Sequence, residues 1–275
     1  LEGQLIRRHR EFHMEDRCLL HRIDPVKGTV TLPDGKAYPM LDTEFPTIDW
    51  KHPYELTSGE RDVIERMETA FRNCEKLQKH MRLLLDKGGL YKIYNGNLLF
   101  HGCIPLNEDG SLKEIQIYGK KYKGRELYDV LETYVRRAFF AVDSMEQRKG
   151  MDILWFIWAS PSSPLFGKDK MTTFERYFIA DKETHKETKG AYYRLLENEN
   201  VVDTLLEEFG LSPKSGHIIN GHVPVHQGEG ESPVKCNGKV IVIDGGFCKA
   251  YQKVTGIAGY TLIYNSYGLI LSAHE

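Results

Sequence analysis

The chain is expected to fold as a mixed α/β (α+β) domain, and three observations lead there. Strand-like runs such as NLLF, HIIN and KVIVID alternate with segments of helical periodicity. Polar and glycine-rich clusters follow those runs directly, where open α/β sheets place their sites. A 275-residue chain with 41% hydrophobic and 28% charged residues can bury a core of that size.

Taken in order, Arg17–Met40 read as a hairpin region, with the β-branched run TVTL before an Asp34-Gly35 turn. Residues Asp42–Leu56 are broken by prolines into an irregular connection, so residues 1–56 form a β-rich and irregular segment. Thr57 and Glu60 fit a capping box, and Val63, Ile64, Met67, Phe71, Cys74, Leu77, Met81 and Leu84 continue one helical stripe to the Gly88-Gly89 stop. LYKIY, Asn95-Gly96 and NLLF make a tight hairpin. A helix is expected from about Arg125 to Arg148, a buried strand over Met151–Ala159, and a loop over Ser160–Lys170. Tyr192–Phe209 reads as one helix stopped by Gly210. Strands at His217–Asn220 and Lys239–Asp244 follow, and TLIYN with LILSA closes the chain as a hairpin.

Composition narrows the function. With 37 basic against 39 acidic side chains the net charge is -2, which disfavours a nucleic-acid binder. No apolar run approaches the ~20 residues of a membrane helix, and no signal-peptide pattern opens the chain. Five scattered cysteines without a CxxC pair suit a reducing compartment. The start at Leu1 and the stop just after a strand-like run lead to the expectation of an internal piece of a longer protein.

Four places could carry chemistry. His101-Gly102 follows a buried strand end directly; it is a candidate site, or a histidine capping a strand. In HIINGHVPVHQGEGE, a strand delivers His222 to a loop, with His226 four residues on and Glu229 and Glu231 close behind. Neutral imidazoles suit divalent manganese, iron or zinc, and Pro224 rules out reading the spacing as a helical zinc motif; the alternative is a solvated loop. Asp244 ends VIVID, either orienting a ligating histidine as an acceptor or capping a helix that starts near Phe247. In WASPSSPLFGKDK the serine hydroxyls with Lys168 and Lys170 could receive a phosphate, or form an exposed polar loop. Phosphate-loop, dinucleotide, nucleophile-elbow and HExxH motifs are missing.

Long strings then carry a specific likeness. YPMLDTEFPTIDW, NGNLLFHGCIPLNEDG, LWFIWASPSSPLFGKDKMTTFERYF, INGHVPVHQGEGESPVK and KVIVIDGGFCKAYQKVTGIAGYTLIYNSYGL resemble the later part of class III, Firmicutes-type fructose-1,6-bisphosphatases. That family is similar to the calcineurin-like metallophosphoesterases, which implies a β-sandwich flanked by helices, here incomplete at its N-terminal side. On this likeness residues 57–275 are the later part of that domain with helical insertions. His101 matches the metal-binding histidine of the HGG motif and His222 that of the late GH motif. Cys103 replaces the second glycine, as a soft metal contact or an inert packed thiol. The earlier DxH, GDxxDRG and GNH[DE] motifs do not occur, so about two of the metal ligands are expected here.

The resemblance implies fructose 1,6-bisphosphate 1-phosphatase activity in gluconeogenesis, in the cytoplasm, with water activated by divalent metal, Mn2+ foremost. His226 is then a further ligand or an acid for the departing oxygen, and Lys168 and Lys170 hold the phosphate that does not react. Oligomerisation is left open. Two other readings stay open: a metallophosphoesterase of phosphoprotein or nucleotide substrates, and a non-catalytic module that binds a sugar phosphate or a protein partner.

Overall fold

The computed structural model describes residues 9–274. The chain divides into two compact units: Leu1–Gly89 with Gln116–Gly119 and Lys170–Thr188, and Leu90–Ile115 with Lys120–Asp169 and Lys189–Glu275.

In the first unit, where a hairpin region is expected, β1 (Ile23–Asp24), β2 (Thr29–Thr31) and β3 (Ala37–Pro39) form a three-stranded antiparallel meander. Leu19, Ile23, Val30, Leu32 and Ile179 make its core, with Ile179 following the short helix Thr173–Phe178. The capping box is present at α1 (Ser58–Asn73): Thr57 Oγ1 accepts from Glu60 N–H, and Glu60 Oε2 accepts from Thr57 N–H. The single long helix expected here is two. Cys74 is extended (φ −76°, ψ 97°), and α2 (Glu75–Lys87) starts beyond it. A stripe continuous in sequence does not force a continuous axis when its apolar positions lack a partner to pack on. Val63, Met67 and Phe71 are exposed.

The second unit is built on a five-stranded mixed sheet. Its strands are β4 (Tyr91–Tyr94), β5 (Asn97–Phe100), β6 (His217–Asn220), β7 (Val234–Lys235) and β8 (Val240–Val242), in the order β4-β5-β6-β8-β7. The β4–β5 hairpin turns through Asn95 (φ 49°) and Gly96 (φ 74°), the left-handed pair that a two-residue turn demands. The three central strands β5, β6 and β8 run parallel, with Leu98 opposite Ile218 and Ile218 opposite Val240. Those three residues are wholly buried, as the middle of a parallel sheet requires. Between β5 and β6 come α3 (Gly124–Phe140), α4 (Ser144–Ala159), α5 (Ala191–Leu195) and α6 (Glu199–Glu208). Leu205, Leu206, Val202, Tyr128 and Tyr192 from these helices join Leu98, Ile218 and Val240 in one apolar core. Finally α7 (Lys249–Thr255) precedes a hairpin of two seven-residue strands, β9 (Gly259–Asn265) with β10 (Gly268–His274), as expected.

Three expectations in this unit are corrected. Met151–Ala159 is no strand; it is the second half of α4. The run ILWFIWA lacks polar interruptions, so its periodicity could not separate a buried helix from a strand. The decisive feature is Asp143, whose carboxylate accepts from Met145 and Glu146 N–H (3.0 and 2.9 Å) and starts a new helix. For the same reason the helix expected to reach Arg148 ends at Phe140, and α3 and α4 pack as a pair. Tyr192–Phe209 is likewise split, because Asn198 caps α6 through Val201 N–H. None of the helices described is long and apolar enough to cross a membrane.

Candidate functional site

The parallel sheet brings its histidines together. β5 and β6 are neighbours, so the residues leaving their carboxyl ends, His101 and His222, emerge side by side. Gly221 N–H donates to His101 C=O (2.9 Å), which carries the pairing one step past the strands. His222 then takes a left-handed conformation (φ 70°), rare for a side-chain-bearing residue, which costs of order 1 kcal/mol or more. The two rings stand edge to face with centroids 4.8 Å apart, and His101 Nε2 lies 2.9 Å from His222 Nδ1.

The protons on this pair follow from the third member of the chain. His222 Nε2 is 3.0 Å from the carbonyl oxygen of Phe166. A carbonyl only accepts, so Nε2 of His222 carries the hydrogen and Nδ1 of the neutral ring is an acceptor. His101 Nε2–H therefore donates to His222 Nδ1. The His101 pKa lies below the usual histidine value: partial burial of the ring is the largest cause and His222 the next, with Asp244 opposing both. That shift favours the neutral ring, the state that can ligate a metal.

Phe166 is placed by the loop after α4, which is not an exposed polar loop, one of the two readings open for its sequence. Ser160 and Ser163 are fully buried, and their hydroxyls are used on the backbone. Ser163 Oγ donates to Ile157 C=O (2.5 Å) and accepts from Leu165 N–H (3.0 Å), while Ser160 Oγ accepts from Ser162 N–H. These serines shape the loop and do not face a ligand. Pro164 C=O then accepts from Cys103 N–H at 2.8 Å, just past His101. A methyl group on Gly102 would lie 2.6 Å from that same oxygen, so only glycine admits the loop there. Lys168 Nζ sits 5.4 Å from the centre of the Phe166 ring, beside the residue that holds His222. Lys170 belongs to the first unit.

Asp244 does not cap a helix. α7 begins at Lys249 behind Cys248, which makes no side-chain cap bond. The Asp244 carboxylate instead stands against Gly221, its Oδ2 3.5 Å from where a Cβ would be, and it favours the charged form of His101. Its backbone C=O accepts from Val225 N–H (3.1 Å), tying down the loop that carries His226. The backbone N–H of His226 donates to Glu231 Oε2 (2.9 Å), and its Nδ1 is buried without a hydrogen-bond partner among the described residues. Glu231 is occupied by that bond and by Lys235 Nζ (2.7 Å). Burial alone would raise its pKa, but these two partners outweigh burial and hold it below the usual range. Cys103 is a packed thiol: it is buried, with a pKa pushed up to about 12 by that burial, and Sγ is 3.8 Å from Ser163 C=O.

The donors present suit a divalent metal as a partial set. Two imidazoles converge, and the far nitrogen of one is fixed by a backbone carbonyl, the arrangement that orients ligating histidines. Among the described residues no group of three or more His, Cys, Asp or Glu side chains could hold a metal ion. One residue of this region escaped the sequence reading: Asn220, whose signal was a polar side chain ending an otherwise apolar strand.

Comparison with known proteins gives a consistent answer. A family model described as Firmicute fructose-1,6-bisphosphatase matches residues 1–275. The chain is 55% identical over 276 residues to the class 3 fructose-1,6-bisphosphatase of Clostridium botulinum (strain 657 / Type Ba4), covering 100% of this chain and 41% of that protein. It is 54% identical, with the same coverage, to the class 3 fructose-1,6-bisphosphatase of Clostridium novyi (strain NT). The chain thus spans about two-fifths of the length of the curated relatives it matches. No solved structure matches it. A family-model match over residues 1–275, with 55% identity across the whole chain to a class 3 relative, makes this chain a member of the Firmicute fructose-1,6-bisphosphatase family.

Proposed function

We propose that this chain is the part of a fructose 1,6-bisphosphate 1-phosphatase that supplies two of its metal ligands, His101 and His222, within a metallophosphoesterase-like sheet. The supporting observation is the imidazole pair, 2.9 Å apart at adjacent parallel strand ends and backed by Phe166 C=O. A bound divalent ion, Mn2+ by this reading, supplies charge neutralisation at the phosphoryl group and lowers the pKa of water.

The chain's own residues have separate tasks. His222 keeps its Nε2 proton on the Phe166 carbonyl and offers Nδ1; His101 shifts its proton from Nε2 to Nδ1 to offer Nε2. Asp244, whose carboxylate stands beside Gly221, is the acceptor that would orient a ligating histidine. Lys168 brings a cation next to the pair for phosphate oxygens, where an ammonium acts as a point charge. His226, held by its backbone bond to Glu231 and with a buried Nδ1 that has no partner among the described residues, is the candidate to give a proton to the departing sugar oxygen. The remaining ligands come from the rest of the longer protein. Substrate identity rests on the relatives' names, and the place in gluconeogenesis and in the cytoplasm follows from it.

The test is His222→Ala in the intact protein. Manganese content and phosphate release from fructose 1,6-bisphosphate should both fall, and unchanged values of both would overturn the ligand assignment.

A further inference from the structure

Asn220 is the last residue of β6 and is 2% exposed. Its Nδ2 donates to Gly102 C=O at 3.1 Å and reaches Gly221 C=O at 3.5 Å. Gly102 follows His101 and Gly221 precedes His222, so one carboxamide spans the backbone beside both imidazoles. Its main chain is fixed as well, since Ile243 N–H donates to Asn220 C=O (2.9 Å).

The orientation of the carboxamide is not interchangeable. Turning it over would place Oδ1 against two carbonyl oxygens, so the nitrogen must face them. Oδ1 is then left buried without a hydrogen-bond partner among the described residues. A buried acceptor in that state is expensive, and the two residues before it in the strand, Ile218 and Ile219, are apolar. An apolar residue at 220 would avoid the unsatisfied oxygen and lose only the two bonds of Nδ2. Those two bonds are what the polar side chain contributes here.

We infer that Asn220 is a positioning residue, whose Nδ2 fixes the distance between His101 and His222 and so sets the metal affinity of the pair. This rests on the reading of the two histidines as ligands. Ligating side chains are tuned by such outer contacts, whose loss lowers metal affinity by about 10–100-fold.

The test titrates the intact, metal-stripped protein with Co2+ alone, following affinity and the visible d–d absorption, which reports ligand geometry. Asn220→Leu should bind Co2+ at least about tenfold more weakly, with a displaced d–d band. Ile218→Val, on the same strand, should lower the melting temperature without moving the band. Wild-type affinity and band in Asn220→Leu would overturn the inference. If that variant does not fold, Asn220→Ser replaces it, because its hydroxyl has one hydrogen to donate; the same two readouts decide. His222→Ala is titrated alongside. Should it retain wild-type Co2+ binding, the ligand reading falls and the inference with it. Should it lose Co2+ while the Asn220 variants keep it, only the positioning role falls.

Discussion

Replacing Gly102 by alanine should damage stability and site together, and the size can be worked out. The new methyl would stand 2.6 Å from Pro164 O and 3.4 Å from Leu165 Cα, where ordinary contact begins at 3.4 Å. Backbone must therefore retreat by about 0.8 Å, because neither neighbour is a flexible side-chain end. Pro164 O is also the acceptor for Cys103 N–H at 2.8 Å. A retreat along that bond opens it to about 3.6 Å, outside hydrogen-bond range. Losing the bond costs about 0.5–1.5 kcal/mol, and the overpacking about 1–3 kcal/mol. Stiffening of the unfolded chain returns about 0.4–1 kcal/mol. The net loss is about 1–4 kcal/mol, read as a lower urea midpoint at unchanged slope. Because Phe166 lies two residues beyond Pro164, the His222 Nε2 contact should loosen and metal affinity fall in the same variant. Gly59→Ala is the control: nothing lies within 4 Å of its added methyl, and it sits in α1. A Gly102→Ala midpoint equal to wild type would refute the claim that loop and strand end are in contact there.

Two further outcomes follow from the packing. Gly150→Ala should destabilise by about 1–3 kcal/mol, since its methyl would meet Ala138 N at 2.4 Å and Tyr134 O at 2.5 Å. Alanine's better helix propensity pulls the other way, so a raised melting temperature would show that α3 and α4 do not cross closely. His217 gives a pH dependence. Asn97 spends Nδ2 on the carbonyls of Tyr94 and Asn95, so Oδ1 accepts from His217 Nδ1–H at 3.0 Å. Burial lowers the His217 pKa from 6.5, so near that pH the unfolded chain binds more protons than the folded one. Its stabilising contribution is present above pH 6.5 and is lost as pH falls from there through the folded value. Urea melts at stepped pH should show this slope, and His217→Gln should reduce it; an identical slope in the variant would remove His217 as the cause.

The elements legible in the sequence were those with local chemistry of their own. Asn95-Gly96 demanded a tight hairpin, Thr57 with Glu60 fixed the start of α1, and HIIN and KVIVID marked two short strands, whose parallel pairing only the fold reveals. The misreading of ILWFIWA had a physical origin: a helix buried along its length presents no polar face, so its period is invisible. Asp143 followed by Glu146 carried the missing start signal, three residues apart as an N-terminus should be. The serine loop looked solvated because sequence shows hydroxyls but not the carbonyls and amides that absorb them. His101 and His222 could be nominated separately from their strand ends and jointly from a family likeness. That they touch, and that Phe166 holds the outer ring, depends on strand neighbourhood and loop packing, which no spacing encodes.

The two imidazoles are 121 positions apart along the chain, with five α-helices laid down between them. During synthesis His101 has left the ribosome long before its counterpart exists. Nothing metal-competent can therefore form until β6 has found β5, after the intervening loop has been closed at an entropic cost. A pairing of that range is slow to form. On the proposed ligand role, ion capture by this pair would therefore report on the finished sheet, and a copy truncated before β6 would offer only one of the two imidazoles.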